Sequence, residues 1–91
     1  MQEWTMQLEP EEIKAIITRL KRANGHLVSV IRMLEDGAEC EDALLQLAAV
    51  SKAVSRGGYA LVSSGLQKCL EEGGPDSVDA KKMEKLFLAL A

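Results

Sequence analysis

The sequence predicts an all-α protein built from three helices. Helix-forming residues dominate the 91 positions, and apolar residues recur with the 3.6-residue period of an amphipathic helix. Helix-breaking residues gather at two places, Gly37 and Gly73-Gly74-Pro75, which divide the chain into three segments. Because 91 residues suit one small domain, we expect a single helical domain over residues 1–91.

The first helix is predicted to begin near Pro10, because proline suits the first helical turn and Glu11 and Glu12 favour its positive end. It should end near Asp36-Gly37. Residues 1–9 before it are expected to be loosely ordered. The apolar positions that define this helix are Ile13, Ile16, Ile17, Leu20, Leu27, Ile31 and Leu34.

The second helix is predicted from Glu39 to about Glu72. Gly57-Gly58 could break it, but the apolar pattern resumes in phase, so we expect one continuous helix. At about 34 residues it would be roughly 50 Å long, and a helix of that length needs a partner helix of similar length. Its apolar and small positions are Leu44, Leu47, Ala48, Val54, Leu61, Val62 and Leu66.

The third helix is predicted over residues 77–90, with Asp76 or Ser77 as its N-cap. Its apolar face comprises Val78, Met83, Leu86, Phe87 and Leu90. Aromatic residues make up only 3% of the chain, so large rings contribute little to a core. We therefore expect oligomerisation to supply part of the buried surface.

Composition argues against several classes of protein. No uncharged apolar run approaches the 18 residues of a membrane span, and the first 12 residues carry no basic residue of a signal peptide. We expect a cytoplasmic protein with reduced cysteines and no membrane contact. The chain has no phosphate-binding glycine loop, Ser/His/Asp set or CxxC motif, and its single histidine, His26, is expected to be structural or exposed. We therefore do not expect an enzyme.

Charge is segregated along the chain. The net charge of −3 and the pI of about 5.1 argue against nucleic acid as a partner. Residues 13–34, however, carry five basic residues and no acid, and residues 43–70 carry three and no acid. If the fold placed these stretches side by side, they would form a positive surface able to contact phosphates. The alternative is an ordinary solvated helix face.

The two cysteines, Cys40 and Cys69, lie near opposite ends of the predicted second helix. At 1.5 Å per residue they are about 43 Å apart, whereas a disulfide needs Cα atoms within about 7 Å. The intervening residues make about eight turns, so both thiols lie on nearly the same face. An antiparallel copy of the helix could therefore place Cys40 of one protomer against Cys69 of the other. Alternatively, both cysteines are small buried hydrophobic residues.

In that antiparallel pairing, Leu47 would face Val62 of the other protomer and Ser51 would face Gly58. Small residues would then lie at the centre, where they permit close approach of the two helices. The dimer would carry two equivalent thiol pairs, one at each end.

The segment from Arg19 to Cys40, RLKRANGHLVSVIRMLEDGAEC, closely resembles the CsoR/RcnR family of small all-helical bacterial repressors. The resemblance continues through DALLQLAAVSKAVSRGGYAL to LQKC at Cys69, and covers about residues 10–75. It implies a three-helix protomer that forms an antiparallel four-helix-bundle homodimer, and commonly a homotetramer of two dimers. It also implies a transcriptional repressor that binds operator DNA without a helix-turn-helix.

In members of that family, basic residues of the first two helices contact DNA. Four matching positions and two helper lysines carry over to this chain: Arg19, Lys21, Arg22 and Arg56, then Lys14 and Lys52. Their expected role is phosphate contact, with arginine also able to bind guanine edges. A tetramer would carry the basic stretches four times, which makes DNA binding compatible with the acidic pI.

The resemblance also bears on the inducer. Copper-sensing members use a Cys–His–Cys site across the dimer interface, and its cysteines match Cys40 and Cys69. The histidine position, four residues before the second cysteine, is Gly65 here, and Glu39 stands where those members often carry tyrosine. A site that keeps both cysteines but lacks the histidine resembles that of the persulfide-sensing CstR branch. This implies a sulfane-sulfur inducer, with Cys40 attacking and Cys69 of the other protomer resolving it into a di-, tri- or tetrasulfide, and no cofactor.

The main alternative is a copper-responsive repressor in which Cys40 and Cys69 bind Cu(I) as thiolates, since soft sulfur suits that ion. Formaldehyde-sensing relatives also use the first cysteine, but the retained Cys69 argues against that chemistry. A helical scaffold or thiol-carrying protein without DNA binding is a further alternative, and Arg19 and Arg56 argue against it.

Overall fold

The computed structural model describes residues 8–91 as three helices: α1 (Pro10–Glu35), α2 (Cys40–Gly73) and α3 (Ala80–Leu90). A short 3₁₀ turn, Pro75–Ser77, precedes α3, and residues 8–91 contain no strand. This confirms the all-α, three-helix prediction. The loosely ordered start predicted for residues 1–9 falls mainly on residues 1–7, which lie outside the described residues. Within residues 8–91, no helix is both long and apolar enough to cross a membrane.

The bounds of α1 agree with the sequence prediction. Pro10 is its first residue, and the helix ends in a turn at Gly37, whose φ of 78° suits glycine. The Ala38 N–H donates to the Met33 carbonyl at 2.8 Å and the Gly37 N–H to the Leu34 carbonyl at 3.2 Å. These two bonds satisfy carbonyls that the helix end would otherwise leave unpaired, so the chain reverses within four residues.

The second helix runs unbroken through its glycine pair, as predicted. Both glycines lie where a neighbouring helix approaches closely. A Cβ on Gly57 would lie 2.9 Å from Leu20 Cδ2 of α1, and one on Gly58 would lie 2.5 Å from Leu90 Cδ2 of α3. The pair therefore makes room for two different helices on adjacent sides of α2, which outweighs the loss of helix propensity.

The third helix begins three residues later than predicted, because Pro75–Ser77 is a separate turn. The Ser77 hydroxyl donates a hydrogen bond that is shared between the Cys69 carbonyl, at 2.9 Å, and the Gly74 carbonyl, at 2.7 Å. Ser77 thus closes the end of α2 instead of starting α3.

The predicted cap of α3, Asp76 or Ser77, is wrong for the same reason. The observed N-cap is Asp79, whose carboxylate accepts a hydrogen bond from the Lys82 N–H at 3.0 Å. Val78 is extended, with φ −92° and ψ 128°, and lies before the helix instead of on its apolar face. Two aspartates three residues apart both suit the cap position by residue type, and the serine contact with α2 decides between them.

Helices α1 and α2 pack as an antiparallel pair along a line of small and medium side chains. We call this line the seam. On each helix the buried seam residues recur every seven positions. They are Ile16, Ala23 and Val30 on α1, and Ala43, Val50 and Gly57 on α2. Most of the larger apolar residues that define the predicted helices lie outside the seam and are exposed in the protomer: Ile13, Ile17, Ile31, Leu34, Leu44, Leu47, Val54 and Leu61.

The seam separates the helix pair into two faces. Each residue turns an α-helix by 100°, so the residue after a seam position points to one side and the residue before it to the other. The following residues include Ile17, Ile31 and Leu44, which are 45%, 48% and 64% exposed. The preceding residues include Arg22 and Arg56. One face of the pair therefore carries exposed aliphatic side chains, and the opposite face, which we call the basic face, carries the two arginines.

Helix α3 covers the C-terminal half of the apolar side of α2. Val62 is buried there, Leu90 packs against Gly58, and the Tyr59 and Phe87 ring centroids lie 6.2 Å apart. The positions predicted to face Ser51 and Leu47 of a second protomer are thus covered by α3 within the protomer. The antiparallel dimer stays a prediction, and that pairing requires α3 to share or leave this surface.

We expect Asp79→Ala to lower the free energy of unfolding by about 1 kcal/mol, because it removes the side chain that caps α3. The matched change Asp76→Ala removes the same charge from a residue that makes no capping bond, and should cost less than about 0.5 kcal/mol. Urea unfolding followed by circular dichroism, at one protein concentration, measures both. Equal losses would contradict the assignment of the cap.

Candidate functional site

Three arginines meet in an open cleft of about 450 Å³ on the basic face, between α1 and α2. Arg19 and Arg22 reach it from α1 and Arg56 from α2, with His26 beside them. Two alanines, Ala23 and Ala53, complete the lining, and their small side chains keep the cleft open. We call this site the arginine cleft.

Local sequence explains why these side chains converge. Arg22 immediately precedes Ala23 and Arg56 immediately precedes Gly57, and Ala23 and Gly57 are seam residues. Because the helices run antiparallel, both arginines emerge on the same side of the pair. Arg19 lies one turn before Ala23 and joins them.

The three lysines predicted as DNA-contacting residues do not line the arginine cleft. Each of these lysines lies two positions from a seam residue: Lys14 before Ile16, Lys21 before Ala23 and Lys52 after Val50. Two residues turn the chain by about 200°, so each lysine points away from the opposite helix. The structure therefore joins the three predicted arginines and leaves the three lysines, all exposed, on the outer sides of the helix pair.

The cleft is electrostatically uncompensated. Within residues 8–91, none of its three guanidinium groups forms an ion pair, and no acidic side chain lines it. Most acids of the helix pair lie at helix ends, such as Glu11 and Glu12 in the first turn of α1. A protein with a net charge of −3 thus presents a concave positive surface, which suits an anion such as a phosphate.

His26 belongs to this cleft, a placement that was not predicted from the sequence. Its Nε2 lies 2.7 Å from Oε1 of Gln46, so the imidazole bridges α1 and α2. A usable signal was present in the sequence: His26 follows Arg22 by four residues and Arg19 by seven, the spacing of one helix face.

The two thiols lie at opposite ends of α2. Cys40 is the first residue of the helix and is exposed, and Glu41 and Asp42 follow it in the first turn. Cys69 is partly buried near the other end, where its carbonyl accepts the Ser77 hydroxyl. Both cysteines are free, and the helix between them is about 43 Å long, so one protomer cannot join them.

An ion pair beside Cys69 holds the ends of α1 and α2 together. Lys68 Nζ lies 3.0 Å from the Glu9 carboxylate and 3.8 Å from that of Glu72. The hydrogen bond with Glu9 is the main reason that the pKa of Lys68 is raised above its usual value. The ion pair therefore holds the helix next to Cys69, and the Ser77 hydroxyl holds the Cys69 carbonyl.

The residues around the thiols offer few further metal ligands. Gly65, one turn before Cys69, is buried and has no side chain. Within residues 8–91, no group of three or more His, Cys, Asp or Glu side chains is arranged to hold a metal ion. The soft donors near the ends of α2 are the two thiols, and thiolate sulfur suits a soft ion such as Cu(I).

A family model described as "Metal-sensitive transcriptional repressor" matches residues 12–91. The copper-sensing transcriptional repressor CsoR of Mycobacterium ulcerans is 34% identical over 77 residues, which cover 85% of this chain and 66% of the relative. The proteins of the same name from Mycobacterium bovis and Mycobacterium tuberculosis are each 31% identical over 77 residues, covering 85% of this chain and 65% of theirs. The chain therefore spans just under two thirds of the length of these relatives. No solved structure matches it significantly.

We expect Arg56→Ala to weaken binding of duplex DNA and to reduce the slope of log K against log salt by about 0.9 for each phosphate that the variant no longer neutralises. Lys52→Ala is the matched control, since it removes one positive charge from the same helix but outside the cleft. Fluorescence anisotropy over a salt series measures both slopes. An equal or larger change in the lysine variant would show that the cleft is not the main DNA-binding surface.

Proposed function

Because this chain belongs to the family of metal-sensitive transcriptional repressors, we propose that it represses transcription by holding operator phosphates in its arginine cleft. The observation that carries this proposal is the convergence of Arg19, Arg22 and Arg56 on one face with no acid among them. We further propose that an inducer acting on Cys40 and Cys69 of two protomers releases the DNA.

The charge distribution supports DNA as the partner of the cleft. Guanidinium groups bind phosphate oxygens through paired N–H donors, and each phosphate neutralised releases condensed counterions from the duplex. The acidic remainder of the surface weakens attraction elsewhere, so binding would be oriented by the cleft. Arginine can in addition bind the guanine edge in the major groove, which offers a route to sequence preference.

The exposed apolar face supports assembly with a second copy. Leu44, Leu47 and Val54 are 64%, 43% and 49% exposed on α2, and Ile17 and Ile31 are open beside them on α1. Two protomers that cover these side chains would form a four-helix bundle whose arginine clefts remain on the outside. A dimer then brings two clefts to one duplex, and a dimer of dimers brings four.

The comparison with relatives favours Cu(I) as the inducer, because the three relatives described above are named copper-sensing repressors. The two thiolates of Cys40 and Cys69 from different protomers supply the soft ligands that Cu(I) prefers. Binding would draw the N-terminal end of one α2 towards the C-terminal end of the other. That movement would change the distance between the arginine clefts of the two protomers and lower the affinity for DNA.

Sulfane sulfur is a second candidate inducer, and Gly65 is the observation that favours it. The family match and the relatives do not support this chemistry, but a buried glycine removes the histidine that the copper site of the family uses. A Cys40 thiolate would attack HS–SH to give Cys40–S–SH and release HS⁻. The Cys69 thiolate of the partner subunit would then displace a second HS⁻ and form the disulfide, so two thiols lose two electrons to the sulfane sulfur.

The deciding experiment exposes reduced protein anaerobically to each inducer. For Cu(I), we expect a competing chelator to reveal one tight site per Cys40–Cys69 pair, loss of that site in Cys40→Ala and in Cys69→Ala, and release of a labelled duplex from the upstream region of the gene. For polysulfide, intact mass spectrometry should show no covalent dimer. A cross-linked dimer that carries the disulfide or added sulfur, without Cu(I)-dependent release, would assign the protein to the sulfur-sensing candidate.

The alanine variants also serve as controls for the repressor proposal itself. Neither cysteine lies in the arginine cleft, so both variants should bind the duplex as tightly as the unmodified protein before any inducer is added. If either variant still released DNA in response to both inducers, the two thiols would not be the sensing site.

A further inference from the structure

His26 is the single histidine of the chain, and it lies among the arginines. Its ring lines the same cleft as Arg19 and Arg22 on its own helix and Arg56 on α2. The Gln46 side chain holds the ring through the 2.7 Å contact between Nε2 and Oε1. With an amide oxygen as acceptor, Nε2 carries a proton, and Nδ1 remains the second ring nitrogen.

The groups that face His26 come from its own helix and from α2. Among residues 8–91, α2 is the only element that packs against α1. From α2 the cleft receives Arg56, the neutral Ala53 and, at the ring, the neutral Gln46. Asp42 lies one turn before Gln46 on α2 and does not line the cleft. No carboxylate in the cleft therefore compensates a positive charge on the imidazole.

We infer that His26 is the fourth DNA-contacting residue of the arginine cleft, where it binds an operator phosphate in its doubly protonated form and makes operator affinity rise as pH falls. This inference rests on the proposed function of the arginine cleft. Protonation adds an N–H donor at Nδ1 while Nε2 keeps its bond to Gln46, so the ring does not have to leave its position to gain a charge-assisted contact. A phosphate beside the ring favours the charged form, so DNA binding and proton uptake are linked.

The effect is measurable because an imidazole changes charge between pH 5 and 8, where arginine does not titrate. Each phosphate contact contributes about 0.9 to the slope of log K against log salt. Because this counterion term vanishes at 1 M salt, a slope of about 0.9 corresponds at 0.15 M salt to about fivefold in affinity for each His26 that contacts a phosphate. The affinity should therefore be higher, and the salt slope steeper, at pH 5.5 than at pH 7.5.

The experiment uses the full chain, reduced and freed of metal with a chelator, and a labelled duplex from the upstream region of its gene. Anisotropy titrations are run over a salt series at pH 5.5 and pH 7.5 for the unmodified protein, His26→Gln and Arg56→Ala. Glutamine keeps a hydrogen-bonding side chain opposite Gln46 but cannot take a charge. Circular dichroism at both pH values checks that each variant is folded.

We expect the unmodified protein to bind the duplex about fivefold more tightly at pH 5.5 than at pH 7.5 for each His26 that contacts a phosphate. His26→Gln should bind equally tightly at both pH values. Arg56→Ala should bind more weakly at both pH values but keep the pH dependence. A flat pH profile in the unmodified protein, or a profile unchanged in His26→Gln, would overturn the role of His26 and leave the repressor proposal standing. An equal loss at both pH values in His26→Gln would show a purely structural histidine and would also overturn it. Absence of duplex binding at either pH would overturn both proposals.

Discussion

Close contact between α1 and α2 along the seam is the constraint on which the rest of the structure depends. Alanine and glycine at Ala23, Ala43 and Gly57 let two long helices lie side by side with little side-chain bulk between them. Gly57 admits Leu20 at a distance that a Cβ would obstruct. The larger aliphatic residues are left outside this contact, so the helix pair buries its small residues and exposes many of its large ones.

That arrangement determines where function can reside. Arg22 and Arg56 precede seam positions and point to one side of the pair, while Ile17, Ile31 and Leu44 follow seam positions and point to the other, so a single packing contact orients both. The arginine cleft and the exposed apolar side chains therefore lie on opposite sides of the same two helices. Because the two sides are opposite, covering the apolar side chains would leave the arginine cleft open to solvent.

The length of α2 limits the chemistry of the thiols in a comparable way. A 34-residue helix keeps Cys40 and Cys69 about 43 Å apart, so any reagent that joins them must act between copies of the chain. Cys69 is also tied through its carbonyl to Ser77, at the turn that leads into α3. The segment that leads into α3 is thus anchored to the backbone of Cys69, and α3 covers part of the apolar side of α2. Both thiols, Arg56 and several of the exposed apolar side chains thus lie on one helix.

The sequence by itself determined the helices and their breaks, because proline, glycine and acidic residues at helix ends act locally. Their effects can be predicted without knowing which other helix packs against them. It also determined which stretches are basic, and it contained the residues on which the family resemblance rests. Only the tertiary structure decided which apolar residues are buried, since a 3.6-residue period marks an apolar side but not which neighbour covers it. The same limit explains the later start of α3, where Ser77 bonds to the end of α2 and leaves the cap to Asp79. It explains, too, why Arg19, Arg22 and Arg56 meet with His26 while Lys14, Lys21 and Lys52 point away. Side chains distant in sequence come together only through the register of two packed helices, and that register is set by their contact.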